Sequence, residues 1–183
     1  MAEISSPAEY YTQLIPQQFA AALAGALDGV AEQPELSAVY EISGEGGGTY
    51  GLRAAGKQIE VLPESLPAAD MRTTMTVEDW RKGFASNSAV DPFVDYIRQG
   101  KVAIVKSLSG TVRLELERSD GSTWRSATIF GGQSEPEVTL RMTADDYGAM
   151  IRGELNGQMA FLTGKLTFEG SLPLLMQVGA LSA

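Results

Sequence analysis

The chain of 183 residues contains no cysteine and no histidine. The lack of cysteine excludes disulfides, thiolate nucleophiles, iron–sulfur clusters and thiolate zinc sites. The lack of histidine excludes the commonest general base, the Ser-His-Asp relay and imidazole metal sites. Any chemistry would rest on carboxylates, lysine, tyrosine and hydroxyls. The composition therefore favours a binding protein over an enzyme, and we expect no catalytic residue, no metal and no cofactor.

Basic residues are also scarce, with 14 Lys and Arg against 23 Asp and Glu, a formal net charge of −9. This field repels polyanions, so binding of nucleic acid through a basic face is excluded. No apolar run approaches the roughly 18 residues needed to span a bilayer. Residues 1–13 lack the charged and apolar regions of a secretory signal. We expect a cytoplasmic protein with no stable membrane insertion, and the Ala- and Gly-rich composition suggests a bacterial chain.

The pattern along the chain alternates short strands with short helices. Residues 1–14 are polar and predict a flexible lead-in, and a helix begins at Pro16 with Phe19, Leu23, Leu27 and Val30 on one face. Further helices are predicted after Thr76, Asp91 and Thr143, at about 158–162 and at 172–181. The predicted strands are 39–42, 49–52, 58–62, 71–75, 102–105, 112–116, 123–130, 138–142 and 166–168.

Two motifs recur in the same order. The run Met75-Thr76-Val77-Glu78-Asp79-Trp80 corresponds to Met142-Thr143-Ala144-Asp145-Asp146-Tyr147, 67 residues later, and Gly100-Lys101-Val102 corresponds to Gly164-Lys165-Leu166, 64 residues later. Such recurrence predicts an internal repeat. We expect a first repeat over 15–108 and a second over 109–183 that together complete one body.

The run from Arg152 to Ser171, RGELNGQMAFLTGKLTFEGS, carries a family resemblance. It resembles the C-terminal signature of the sterol carrier protein type-two family: a Gly-Glu-Leu-Asn turn, an Ala-Phe-x-x-Gly-Lys helix end and a strand finishing in Gly. The strand and acidic helix expected before it are supplied by Val138 to Thr143 and the residues that follow. The segment Val39-Tyr40-Glu41-Ile42, with its glycine-rich turn, is similar to the family's opening hairpin.

The resemblance implies an α+β fold whose helices pack on one face of a mostly antiparallel, five-stranded sheet. It also implies an apolar tunnel for a lipid, fatty acyl chain or sterol, and no catalytic residues. The chain is longer than one family unit, so it is either a degenerate tandem or a single unit with a long insertion. The recurring motifs favour the tandem.

The candidate ligand-binding residues are large apolar and aromatic side chains. Methionine and aromatic groups suit a pocket that adapts to a flexible lipid, although apolar residues at helical spacing more often belong to an ordinary core. The final helix, 172–181, is more apolar than one buried face requires, and we expect it to act as a gate. The set is Trp80, Phe84, Trp124, Tyr147, Met150, Ile151, Phe161, Leu162, Leu174, Leu175, Met176 and Val178.

The function favoured by these observations is non-catalytic binding or transfer of a hydrophobic molecule such as a fatty acid, acyl-CoA, isoprenoid or steroid-like lipid. One alternative is an acid–base enzyme or biosynthetic helper that uses carboxylate and Tyr groups in an apolar pocket. Another is an accessory module that docks on a lipid-modifying enzyme. The pairs Glu78-Asp79 and Asp145-Asp146 fit helix capping better than catalysis. The expected partners are a hydrophobic small molecule and either a lipid-metabolising enzyme or a second copy of the chain.

Overall fold

The described part of the chain contains eight strands and eight short α-helices. A computed structural model describes residues 6–24, 32–62, 66–84 and 91–181, without the side chain of Phe84. The elements are α1 (Pro7–Glu9), a π-helical stretch (Tyr10–Leu14), α2 (Ile15–Ala24), β1 (Leu36–Ser43), β2 (Gly48–Ala55), β3 (Gln58–Leu62), β4 (Met71–Thr76), α3 (Val77–Phe84), α4 (Pro92–Arg98), α5 (Val102–Ser107), β5 (Gly110–Glu117), β6 (Thr123–Phe130), β7 (Glu137–Thr143), α6 (Ala144–Ile151), α7 (Gly157–Leu162), β8 (Thr167–Gly170) and α8 (Leu172–Gly179).

The strands form one sheet in the order β3-β2-β1-β4-β6-β5-β7-β8. Strand β1 pairs antiparallel with β2 and parallel with β4, and β5 pairs antiparallel with β6 and parallel with β7. The α+β class is confirmed, but the expectation of a mostly antiparallel, five-stranded sheet is wrong, since this sheet is mixed and has eight strands. Strand β4 thus lies parallel beside β1, and β7 lies parallel beside β5.

The pairing register separates the two faces of the sheet. Tyr40 lies opposite Tyr50 on β2 and beside Thr73 on β4, while Leu114 lies opposite Ser126 and beside Leu140. Because side chains alternate along a strand, these positions share one face. The buried residues of the helices join the same apolar core as this face, which we call the covered face.

The N-terminal residues differ from the expected flexible lead-in. Residues 7–14 are helical and continue directly into α2, and Tyr10 and Tyr11 are buried in the core. The two aromatic rings supply the buried apolar area that holds this segment against the core. A count of the polar residues in the segment does not reveal this contribution. Within α2, Phe19 is buried as its spacing predicts, while Leu27 and Val30 lie outside the described residues.

Both predicted helix caps are present. Thr76 Oγ1 accepts from the backbone N–H of Asp79 at 3.0 Å, and Thr143 Oγ1 accepts from that of Asp146 at 3.1 Å. Each threonine hydroxyl also donates to the carboxylate three residues later, at 2.7 and 3.0 Å. The second acid of each pair, Asp79 and Asp146, therefore takes part in the cap, in line with the favourable interaction of acids with a helix N-terminus.

The predicted strand at 102–105 is wrong, because these residues begin helix α5. A short run of apolar residues fits a buried strand and a buried helix equally well. Here Val102 and Val105, three positions apart, both face the core, and Lys101 N donates to the carbonyl of Tyr96, which joins α5 closely to α4.

Candidate functional site

Some residues of the covered face near the middle of the sheet are only partly buried. Leu114, Ser126 and Thr128 all lie on this face, yet each keeps partly accessible surface. Their neighbours on the same face, Leu116 and Phe130, are buried. Because the interior of a protein is normally close-packed, accessible apolar and hydroxyl groups under the helices mark a place where the layer leaves space.

Two tyrosines of the helices are also partly buried. Tyr96 belongs to α4, and Tyr147 belongs to α6, which packs against β5 and β7. Burial raises the pKa of Tyr147, and burial together with the neighbouring Tyr147, Asp91 and Asp95 raises the pKa of Tyr96. Both rings nevertheless keep accessible surface. We call these partly buried residues, Tyr96, Leu114, Ser126, Thr128 and Tyr147, the junction site.

The second half of the chain also carries the exposed large apolar side chains of the described residues. They lie at the C-terminal end of α6, along α7 and along α8, and on no other described element. Six such residues are exposed: Ile151 (55%), Met159 (53%), Phe161 (50%), Leu162 (76%), Leu172 (53%) and Met176 (67%). A cluster of this kind on one part of a protein is typical of a binding surface.

The predicted ligand-binding residues therefore fall into three groups. Ile151, Phe161, Leu162 and Met176 are exposed. Tyr147, Met150, Leu175 and Val178 are partly buried against the core. Trp80 and Leu174 are fully packed, with Leu174 so close to Gly110 that a Cβ there would lie 3.0 Å from its Cδ2. The side chain of Phe84 lies outside the described residues.

Trp124 has a structural contact that limits its freedom. Its indole Nε1 donates to the carbonyl of Asp79 at 2.6 Å, and its ring packs against Gly83 at the end of α3. The tryptophan thus fastens α3 of the first half to β6 of the second half. It borders the junction site through its partner on β5, Leu116, and its ring is only partly buried.

A buried aromatic cluster with one carboxylate fills the first half. Asp91 is fully buried and accepts hydrogen bonds from the hydroxyls of Tyr10 and Tyr40, at 3.1 and 2.9 Å, and from the N–H of Phe93 at 2.9 Å. Burial raises its pKa, although these donors act in the opposite direction. The Tyr11 ring lies between the rings of Tyr40 and Tyr50, with centroids 4.5 and 4.9 Å away.

Of the junction site, the sequence predicted Tyr147 alone; the other four residues and the Asp91 cluster were missed. Leu114 and Ser126 occupy ordinary alternating positions on two strands, and only the pairing register shows that they meet. Asp91 precedes a proline and resembles any helix cap. The one available signal for the cluster was the number of tyrosines before residue 51, four of the six in the chain.

Three further observations on the described residues concern metal binding, membrane crossing and a surface depression. They contain no group of three or more acidic residues arranged to hold a metal ion. Among the helices that the structure describes, none has the length and apolar character to cross a membrane. A surface depression of about 480 Å³ near Arg53 and Glu60 lies on β2 and β3, far along the sheet from the predicted ligand-binding residues.

The second half thus combines strands β5–β8 of the sheet with helices α6–α8. Residues 93–182 match the SCP-2 sterol transfer family, and this part of the chain is a domain of that family. The predicted family is therefore confirmed for the second half and for the α4–α5 segment before it.

In the relatives that match this chain, the matching segment is a minor part of a longer protein. The chain is 34% identical over 83 residues to hydroxysteroid dehydrogenase-like protein 2 of Homo sapiens, covering 41% of this chain and 20% of that protein. It is 32% identical over 77 residues to peroxisomal multifunctional enzyme A of Dictyostelium discoideum, covering 42% and 17%. The chain thus spans about a fifth of the length of these relatives.

Two solved structures are similar in part. The sterol carrier protein domain 2 of Helicoverpa armigera is 21% identical, with a TM-score of 0.39 over 48% of this chain and 77% of that one. The sterol carrier protein 2 of Yarrowia lipolytica, in its apo form, is 22% identical, with a TM-score of 0.34 over 45% and 76%.

Proposed function

We propose that the protein binds and transfers a hydrophobic ligand, and that the junction site is where the ligand lies. The observation that carries this proposal is the partly accessible surface of Leu114, Ser126 and Thr128 at the middle of the covered face. An apolar recess with a few hydroxyl groups is the usual form of a small-molecule site. The family of residues 93–182 supports lipid binding or transfer in general.

The exposed apolar residues of α6, α7 and α8 extend this proposal. Phe161 lies 5.7 Å, centroid to centroid, from Phe168, which faces the core from β8. An apolar path thus leads from the surface of α7 to the covered face. Helix α8 keeps half of its length exposed, and we propose that it moves as the gate through which a ligand enters.

We further propose that the chain is a tandem of two related units, 15–108 and 109–183. The parallel register places Ser43 beside Thr76 in the first half and Glu117 beside Thr143 in the second. Since both threonines cap the helix that follows, β1 corresponds to β5 and β4 to β7. The antiparallel neighbours β2 and β6 then correspond as well, so both halves share one arrangement of three strands and a helix.

This correspondence explains why we place one ligand in the chain rather than two. It matches Tyr40 with Leu114, and their antiparallel partners, Tyr50 and Ser126, also match. In the first half Tyr11 of the N-terminal helix covers the pair of tyrosines and is itself completely buried. Strand β5 follows α5 directly, so no described segment plays the part of Tyr11 over Leu114 and Ser126.

The experiment that tests the proposal fills the junction site. Ser126→Trp puts a large ring on the covered face, while Ala127→Trp puts the same ring on the opposite face of the same strand. Binding of Nile red, an uncharged hydrophobic dye, is measured by fluorescence with each variant's fold checked by circular dichroism. We expect one dye per chain in the wild type and in Ala127→Trp, and loss of binding in Ser126→Trp. Equal binding by a folded Ser126→Trp variant would refute the site.

The acid–base alternative needs a carboxylate directed at open space. Asp91 is the buried acid among the described residues, and both of its oxygens already accept from Tyr10, Tyr40 and the Phe93 backbone. A carboxylate held by the chain's own donors stabilises the fold and leaves no position for a substrate proton. The geometry therefore favours binding over catalysis.

A further inference from the structure

Strand β8 is an edge of the sheet, and no strand of the described residues pairs with its free side. Its backbone bonds to β7 through alternate residues, and the bond from Ser171 N to the carbonyl of Glu137, at 2.8 Å, fixes the phase of this alternation. Glu169 therefore bonds toward β7, whereas the backbone N–H and C=O groups of Phe168 and Gly170 are directed to the free edge. Two donors and two acceptors are thus placed to pair with a further strand.

Two aromatic rings form an apolar surface beside this edge. The ring of Phe168 lies on the covered face and is partly buried, and Phe161 of α7, with its ring centroid 5.7 Å away, is 50% exposed. The hydrogen bond from Leu166 N to the carbonyl of Ala160, at 3.0 Å, joins α7 to the start of β8. An added strand can therefore place an apolar side chain against Phe161 and Phe168, which we call the edge shelf.

The opposite face of the same edge carries a negative charge. Glu169 lies on the outer face of the sheet, and its side chain is 76% exposed. It shares its arginine, Arg141, with Glu115, at distances of 3.1 and 2.6 Å. A basic side chain directly across from Glu169 would form a cross-strand ion pair, and the net charge of −9 attracts a basic segment over longer distances. The edge therefore fits a strand in which a basic residue stands between two apolar ones.

A second copy of the chain fits this edge poorly. If two β8 strands paired with Phe168 of each opposite Gly170 of the other, the two Glu169 side chains would face each other, and like charges directly opposite are destabilising. The other edge strand, β3, has helix α2 packed against it. It carries none of the exposed large apolar side chains of the described residues. Charge and apolar surface thus point to β8 and to a partner of different sequence.

We propose that the free edge of β8 binds an extended peptide segment of a partner protein as an additional antiparallel strand, with an apolar–basic–apolar core such as Leu-Lys-Leu. The two apolar residues form backbone hydrogen bonds with Gly170 and Phe168, and the basic residue lies across from Glu169. Antiparallel pairing is slightly more stable than parallel pairing. Strand addition takes its affinity from the backbone and its specificity from alternate side chains. This binding uses no residue of the junction site and is independent of the proposed function.

The test uses a fluorescein-labelled peptide, Ser-Thr-Leu-Lys-Leu-Thr-Ser, whose binding to the whole chain is measured by fluorescence anisotropy. Replacement of its lysine by glutamate should weaken binding by about fivefold or more, because like charges then face each other. N-methylation of both leucines removes the N–H groups that donate to β8 and should weaken binding by at least about tenfold. N-methylation of the lysine is the matched control, since in an antiparallel strand its N–H points away from β8. The affinity of this control peptide should stay within about twofold of the parent.

Two protein variants locate the peptide. Glu169→Lys should reverse the preference, so that the glutamate peptide binds more tightly than the lysine peptide. Glu45→Lys makes the same change in net charge in the exposed turn between β1 and β2 and should keep the wild-type preference. Phe161→Ser removes half of the edge shelf and should weaken both peptides. Circular dichroism confirms that each variant is folded.

Four results would overturn the inference. The first is the absence of binding by the lysine peptide. The second is equal binding of the N-methyl-leucine peptide, which would exclude strand addition. The third is the same change of preference in Glu169→Lys and Glu45→Lys, which would show general attraction by the charge of the whole protein. The fourth is a wild-type dimer in sedimentation velocity that the peptide does not dissociate and that Glu169→Lys abolishes, which would place a second copy on this edge.

Discussion

The buried carboxylate of Asp91 leads to a prediction with a defined sign. Its pKa is raised by burial, so the folded protein holds this proton more firmly than the unfolded chain does. The stability that Asp91 contributes is therefore greatest below the unfolded pKa of about 3.9 and is lost as the pH rises through the folded value. In that window the wild type loses up to about 1.4 kcal/mol per pH unit through this group.

Asp91→Asn removes the charge and keeps the shape. The amide oxygen can still accept from Tyr40 and from the Phe93 N–H, and the amide nitrogen can donate to the hydroxyl of Tyr10. We expect this variant to gain stability relative to the wild type as the pH rises from 4.5 to 7.5. Groups with lowered pKa values, such as Glu137, act equally in both proteins and cancel from the difference.

Asp91→Ala is the matched control. It removes the carboxylate that accepts from two buried tyrosine hydroxyls, at about 1–3 kcal/mol each, and removes a helix cap worth about 1 kcal/mol. At pH 4.5 we therefore expect a loss of at least about 3 kcal/mol. Urea unfolding followed by tryptophan fluorescence measures all three proteins, because Trp80 lies 5.9 Å from the Tyr10 ring. A pH-independent difference between Asp91→Asn and the wild type would refute the reasoning.

Three further substitutions are informative. Tyr11→Ala should cost about 3–5 kcal/mol in urea unfolding, because it empties the space between two tyrosine rings, and a loss below about 1 kcal/mol would show that the segment is not anchored there. Thr76→Ala and Thr143→Ala should each cost about 1 kcal/mol; clearly unequal losses would contradict the structural equivalence of the two caps. Burial alone would raise the pKa of Asp70, but the hydrogen bonds from Lys106 and Ser37 outweigh it and lower the pKa. Asp70→Asn should therefore lose stability against the wild type above about pH 4 and approach it in acid, whereas a constant difference across the pH titration would contradict this.

The local structure was largely predictable from the sequence. The alternation in 112–116 and the Thr143 cap each depend on neighbours within a few residues, and the structure confirms both. The predictions failed where distant residues decide the outcome. Helix α5 forms where a strand was predicted. The sequence of this segment does not show which part of the core its two buried valines contact. The N-terminal helix is ordered by Asp91, about 80 residues away.

In the tandem that we propose, the two units differ in what covers each corresponding pair of strands. In the first half Tyr11 seals the space over Tyr40 and Tyr50, and the hydroxyl bonds to Asp91 hold the N-terminal helix in place. In the second half the corresponding pair, Leu114 and Ser126, remains accessible. Complete packing stabilises a domain but leaves no room for a ligand, whereas an open recess costs stability. When the two units are joined in one chain, the closed unit can support the open unit, because β4 and β6 pair at the centre of the continuous sheet. We therefore expect the recess to persist without ligand, and each chain to bind a single hydrophobic molecule.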